Sequence, residues 1–104
     1  MQSAVSYAYE RASSARPTLY DQFAACRAYA EAQRYHIVGE YNDIDTPSHP
    51  NEGAGFAMIL RMLADDPTTV VLIYQPDQDV VDQLAAHQAK VEPVTTLAER
   101  AAGR

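Results

Sequence analysis

The run Thr69-Val70-Val71-Leu72-Ile73-Tyr74 carries no charge and is dominated by β-branched and aromatic side chains. Branching at Cβ suits a pleated surface better than a helical one, so the run predicts a strand. A strand with one wet face would alternate apolar and polar residues. This one does not, so both of its faces must be covered, as in a parallel sheet flanked by helices.

The rest of the chain alternates accordingly. Residues Ala4 to Tyr9 are small and aromatic and predict a first strand. Thr18, followed three residues on by Asp21, is a helix-start pattern, since a hydroxyl there accepts from a backbone N–H that the helix leaves unpaired. In the helix that follows, Leu19, Phe23, Cys26 and Ala30 fall on one face, with Arg27, Glu31 and Arg34 off it. His36 to Tyr41 is a short second strand, and Asn42 to Glu52 a polar, proline-bearing loop. Phe56, Ile59, Leu60 and Leu63 recur at helical spacing until Asp65-Asp66-Pro67 ends the helix. Asp79 is placed to cap a third helix carrying Val81, Leu84 and Ala85. Val91 to Val94 reads as extended and Thr95 to Ala102 as a final helix. Alternating strands and helices predict a three-layer α/β fold, an open and mainly parallel sheet of about four strands with helices on both faces. With 104 residues, a single domain over 1–104 is expected.

Fourteen acids against eight bases give a net charge of −6, which repels polyanions, whose binding relies on Lys and Arg releasing counterions. DNA is therefore not an expected partner of this chain alone. Cys26 is the lone cysteine, which excludes an internal disulfide and agrees with a reducing compartment. No basic segment followed by an apolar stretch opens the chain, and no apolar run approaches membrane length, so a cytoplasmic protein without a membrane partner is expected. No cofactor or metal is expected: His36 and His49 lack convergent cysteines or a histidine pair at helical spacing, and Asp43, Asp45 and Glu52 read as acids that keep a loop solvated. The seven tyrosines read as core and edge residues with polar tips, since no basic residues interleave with them to form a base-stacking platform.

Chemistry concentrates after the first strand. Tyr9-Glu10-Arg11-Ala12-Ser13-Ser14 sets a hydroxyl two residues beyond a guanidinium and just ahead of a capped helix, an arrangement that can present a nucleophile to a phosphate. In open α/β sheets ligands gather beyond the carboxyl ends of the strands, which brings the Arg11 to Ser14 turn near the Pro76 to Asp79 turn after the third strand.

The order of these features resembles the catalytic domain of the serine recombinases, the resolvase and invertase family. The likeness runs from about Ala4 to Val94. Tyr9-Glu10-Arg11-Ala12-Ser13 matches the family's Tyr-x-Arg-x-Ser motif, with Leu19 and Gln22 at family-like positions in the helix opening that follows. Ala25 to Glu31 resembles the first helix, and Val38-Gly39-Glu40-Tyr41 with Asp43 the second strand and its acidic turn. Gly55-Phe56 and Leu60-Arg61-Met62-Leu63 resemble the next helix, and Val70 to Tyr74 with Asp77 the strand leading to an Asp-Arg-x-x-Arg motif.

The resemblance implies that Ser13 would attack a DNA phosphodiester to form a phosphoserine link, with Arg11 beside the phosphate and Asp77 as the supporting carboxylate. Three family arginines have no counterpart: Gly53, Gln78 and Val81 stand in their places. One such arginine can be worth about 10³ to 10⁵ in phosphoryl-transfer rate, so the losses predict a degenerate site. About ten residues follow Val94, which the resemblance reads as a trimmed core without the family's long helix or DNA-binding domain. The expected role is an interaction or regulatory module that pairs with itself or with a recombinase-family partner. Two alternatives stand beside it. One is a residual phosphodiester-cleaving enzyme using Ser13, with Arg16 or a partner's arginine completing the site. The other is a small anion- or nucleotide-binding domain.

Overall fold

The computed structural model of the protein describes residues 1–11, 15–44 and 53–95. Its strands are β1 (Ser3–Tyr9), β2 (His36–Asp43), β3 (Val70–Tyr74) and β4 (Lys90–Val94). Between them lie α1 (Leu19–Gln33), α2 (Ala54–Asp65) and α3 (Gln78–Ala86). All strand pairings are parallel, in the order β2-β1-β3-β4. The layered α/β architecture expected from the sequence is therefore present; the helix expected after Thr95 lies outside the described residues.

Strand alternation sorts the core into two layers. Val5, Tyr7 and Tyr9 of β1 and Val71 and Ile73 of β3 pack with Phe56, Ile59 and Leu63 of α2 and Val80 and Leu84 of α3. Ala4 of β1 and Val70 and Leu72 of β3 instead pack with Cys26 and Ala30 of α1. All five residues of β3 are buried, as its unbroken apolar character requires. At roughly 1.5–3 kcal/mol for each fully buried large apolar side chain, this strand anchors the sheet. β2 is an edge strand, and its pairing shifts from Ala4↔Ile37 to Val5↔Gly39, leaving Val38 as the extra residue of a bulge. Such an irregularity discourages another chain from adding to the edge.

The helix boundaries follow local chemistry. Thr18 caps α1, its Oγ accepting from the Asp21 N–H at 3.1 Å. The alanine-rich body of α1 then ends at Arg34, whose left-handed backbone (φ 61°) lets its N–H donate to the Ala30 and Glu31 carbonyls. The inward face differs from the sequence reading. Gln22, Cys26 and Ala30 are buried, whereas Leu19 and Phe23 are only half-buried. On α3 the buried residues are Val80 and Leu84 rather than Val81 and Ala85. The cap residue of α3 is Asp77, and Asp79 lies inside its first turn.

The two connections that leave β1 and arrive at β3 run in opposite directions across the sheet: α1 carries the chain outward to β2, and α2 returns it over β1 to β3. The carboxyl ends of β1 and β3 are thus a topological switch point, where a crevice forms.

Candidate functional site

The crevice is built on Tyr9, the last residue of β1. Its ring is fully buried and stacks on Tyr7, with centroids 5.6 Å apart. Its hydroxyl donates to Asp77 Oδ2 and accepts from the Asp77 N–H, both at 2.9 Å, which ties the end of β1 to the start of α3. Burial pushes the Tyr9 phenol up to about 12. Because its carboxylate turns toward Tyr9, Asp77 occupies the cap position of α3 without making a side-chain cap bond.

Arg11 also approaches the Tyr9 ring, its guanidinium carbon 5.2 Å from the centroid. Nη1 and Nη2 donate to Asp79 Oδ1 and Oδ2 at 3.3 and 2.9 Å, and Nη1 lies 3.4 Å from Asp77 Oδ2. The Arg11 side chain is only 14% exposed, and its Nε is buried without a hydrogen-bond acceptor. The fork with Asp79 raises the guanidinium above its ordinary value and holds the Asp79 carboxyl below the usual carboxylate range. The turns after β1 and β3 therefore do meet, as the sequence suggested, through Arg11, Asp77 and Asp79. Ser13 itself lies outside the described residues.

Arg16 does not fill the place of a missing phosphate ligand. Its guanidinium carbon sits 4.0 Å from the Tyr9 ring centroid, and its donors go mainly to main-chain carbonyls: Nε to Tyr9 (3.1 Å), Nη1 to Gln75 (2.9 Å) and Nη2 to Tyr74 (2.6 Å), with Nη2 also reaching Gln22 Oε1 (3.3 Å). The main-chain carbonyls are those at the ends of β1 and β3, so Arg16 staples the switch point shut from above. Gln22 assists from α1. Its Nε2 donates to the Tyr9 and Pro17 carbonyls and its Oε1 accepts from the Tyr9 N–H, so a buried amide completes the pairing of the strand's last peptide.

Gln78, Val81 and Gly53, which the resemblance sets at family arginine positions, each have a local role or setting. Gln78 donates to Asp82 at 2.8 Å within α3, and Val81 is half-buried. Gly53 precedes α2, and a Cβ built there would lie 2.4 Å from Asp43 Cγ and Oδ2. That carboxylate cannot simply swing aside. Asp43 accepts from the Tyr7 hydroxyl (2.5 Å) and from the Gly55 and Phe56 N–H groups (2.8 and 2.9 Å), so it is the N-terminal anchor of α2. Asp43 is accordingly a buried structural acid and not a solvating loop residue as its sequence context suggests. His49, Asp45 and Glu52 lie outside the described residues, and among those described no three His, Cys, Asp or Glu side chains converge as metal ligands.

A search of solved structures places this architecture. The chain superposes on the C-terminal catalytic domain of ISC1926 TnpA, an IS607-like serine recombinase, with a TM-score of 0.67 and 23% identity over 97% of this chain and 76% of that one. The fold is that of a serine recombinase catalytic domain. Searches against family models and curated proteins give no match. Arg11 and the Asp77 turn meet at one crevice of this fold. Sequence reasoning missed Asp79 as the partner of Arg11, Arg16 as a backbone staple and Asp43 as a helix anchor. Gln22 did leave a signal: it sits four residues before Cys26 and eight before Ala30, a polar residue in register with a buried stripe. Among the described residues no helix is long and apolar enough to cross a membrane.

Proposed function

We propose that this chain is a degenerate recombinase-like domain that does not exchange DNA strands and serves as an interaction module, pairing with itself or with an intact serine recombinase. The observation that carries this reading is the state of its guanidinium groups. Arg11 is matched by two carboxylates and Arg16 by main-chain carbonyls, so the two arginines at the β1 and β3 ends are already committed. A pentacoordinate phosphorus needs preorganised positive charge around its equatorial oxygens. Here the formal charges gathered at the strand ends, Arg11 and Arg16 against Asp77 and Asp79, cancel, so no net positive charge is left for a phosphate. The overall charge of −6 further opposes a DNA polyanion.

The fold similarity supports the recombinase-like part of the reading, and the committed arginines support the loss of chemistry. Size-exclusion chromatography of the purified chain, together with capture of a purified full-length serine recombinase, tests the module role. Self-association or specific capture supports it. A strict monomer that captures no recombinase contradicts it.

A further inference from the structure

Asp79 holds Arg11 in the geometry an oxyanion would adopt. Two carboxylate oxygens face two guanidinium nitrogens in a fork, at 3.3 and 2.9 Å, and the guanidinium carbon lies 5.2 Å from the Tyr9 ring centroid. Carboxylate and phosphate are interchangeable guests of such a fork, because both offer paired oxygens at matching separation. The fork uses two of the five N–H donors of the guanidinium, and Nε, which is buried, has no acceptor, so part of the arginine's capacity is unspent. Asp77 Oδ2, which accepts from the Tyr9 hydroxyl, also lies 3.4 Å from Nη1, so a second carboxylate flanks the fork on that side, while Nη2 is bonded by Asp79 at 2.9 Å.

We propose that Arg11 is an oxyanion-binding residue kept closed by Asp79, whose carboxylate acts as an internal stand-in for a phosphate group. The proposal rests on the non-catalytic reading above, since it explains how a chain that keeps the arginine of the Ser13 segment remains shut to phosphate. Asp79 belongs to the first turn of α3, so the plug is fixed to a helix and not to a mobile tail. The depressed carboxyl of Asp79 keeps it charged through the physiological range, which keeps the plug in place there.

The test is titration of inorganic phosphate, at constant ionic strength, into the folded full chain and its variants, followed by calorimetry and by the Arg11 side-chain NMR signals. Asp79→Asn removes the charge and preserves shape. It should bind phosphate at least about tenfold more tightly than wild type, because a like charge about one ion-pair distance from the anion is removed. Asp79→Asn with Arg11→Gln should return to the wild-type level. Asp79→Ser repeats the experiment with a different side chain, should the asparagine variant fold poorly. Equal phosphate binding by wild type and both Asp79 variants overturns the proposal, as does a gain that survives Arg11→Gln. Failure of the non-catalytic reading looks different: wild-type protein would form a covalent Ser13 adduct on DNA, whatever its affinity for free phosphate.

Discussion

Replacing Gly53 by alanine adds a single methyl group, yet the structure gives that methyl an unusually costly neighbour. It would lie 2.4 Å from both Cγ and Oδ2 of Asp43 and 2.7 Å from Oδ1. To make room, the carboxylate must leave the Gly55 and Phe56 N–H groups and the Tyr7 hydroxyl. Losing the α2 anchor costs about 1 kcal/mol, and stranding the buried Tyr7 hydroxyl about 1–3 kcal/mol more. Gly53→Ala should therefore destabilise by about 2–4 kcal/mol, against at most about 0.5 kcal/mol for an ordinary surface change. Urea denaturation of a double-mutant cycle isolates the cause. With Asp43→Ala already present the obstructing carboxylate is gone, and adding Gly53→Ala should then cost no more than about 0.5 kcal/mol, leaving a coupling of about 1.5–4 kcal/mol. Additive effects, or a harmless Gly53→Ala in the parent chain, would refute the reasoning. The same geometry implies that Gly53→Arg cannot restore the first missing arginine without unseating α2.

Other consequences are measurable on the same protein. Gln22→Leu keeps the volume but strands the Tyr9 N–H, while the Tyr9 carbonyl keeps its bond from Arg16, so chemical denaturation should show a loss of about 1–3 kcal/mol; a stability within about 0.5 kcal/mol of the parent would deny Gln22 its role in completing β1. Burial raises the Tyr9 phenol to about 12 and pushes Tyr7 up as well, helped for Tyr7 by the Asp43 carboxylate, while an unfolded tyrosine ionises near 10. Their contribution is complete below about pH 10 and is lost as pH rises toward the folded values, so stability should fall above about pH 10, and an ultraviolet titration should find these two phenols ionising only with alkaline unfolding. A flat stability profile from about pH 9 to 12 would count against that burial. Cys26 is buried and its thiol is raised by desolvation, so iodoacetamide should modify it only as fast as the protein opens; rapid alkylation of native protein would contradict its place beneath α1.

The strands and the layer order were legible because they depend on local composition. Val70 to Tyr74 could be nothing but a doubly covered strand, and the alternation around it left a parallel sheet as the natural solution. The α1 face was misjudged at Leu19 and Phe23 because periodicity counts apolar residues, whereas the buried slot went to Gln22 to satisfy a strand terminus. Asp43 was read as a solvating acid, Asp79 as a helix cap and Arg16 as a residue that could complete a phosphate site, for a related reason. Their partners lie at Tyr7, at Tyr74 and Gln75, and at Arg11, dozens of residues away, and no local pattern encodes such pairings. Arg11 and Asp77 were singled out because the motif order pointed to them, but the ion pairing that neutralises Arg11 depends on the register of α3.

The decisive experiment is incubation of the purified chain with nicked or otherwise irreversible DNA substrates, followed by denaturing electrophoresis and mass spectrometry for phosphoserine-linked DNA at Ser13. With Arg11 held by Asp77 and Asp79, no covalent complex should form, for the wild type or for Ser13→Ala. A DNA adduct in the wild type that disappears in Ser13→Ala would show that the hydroxyl still attacks phosphorus and would contradict the non-catalytic reading.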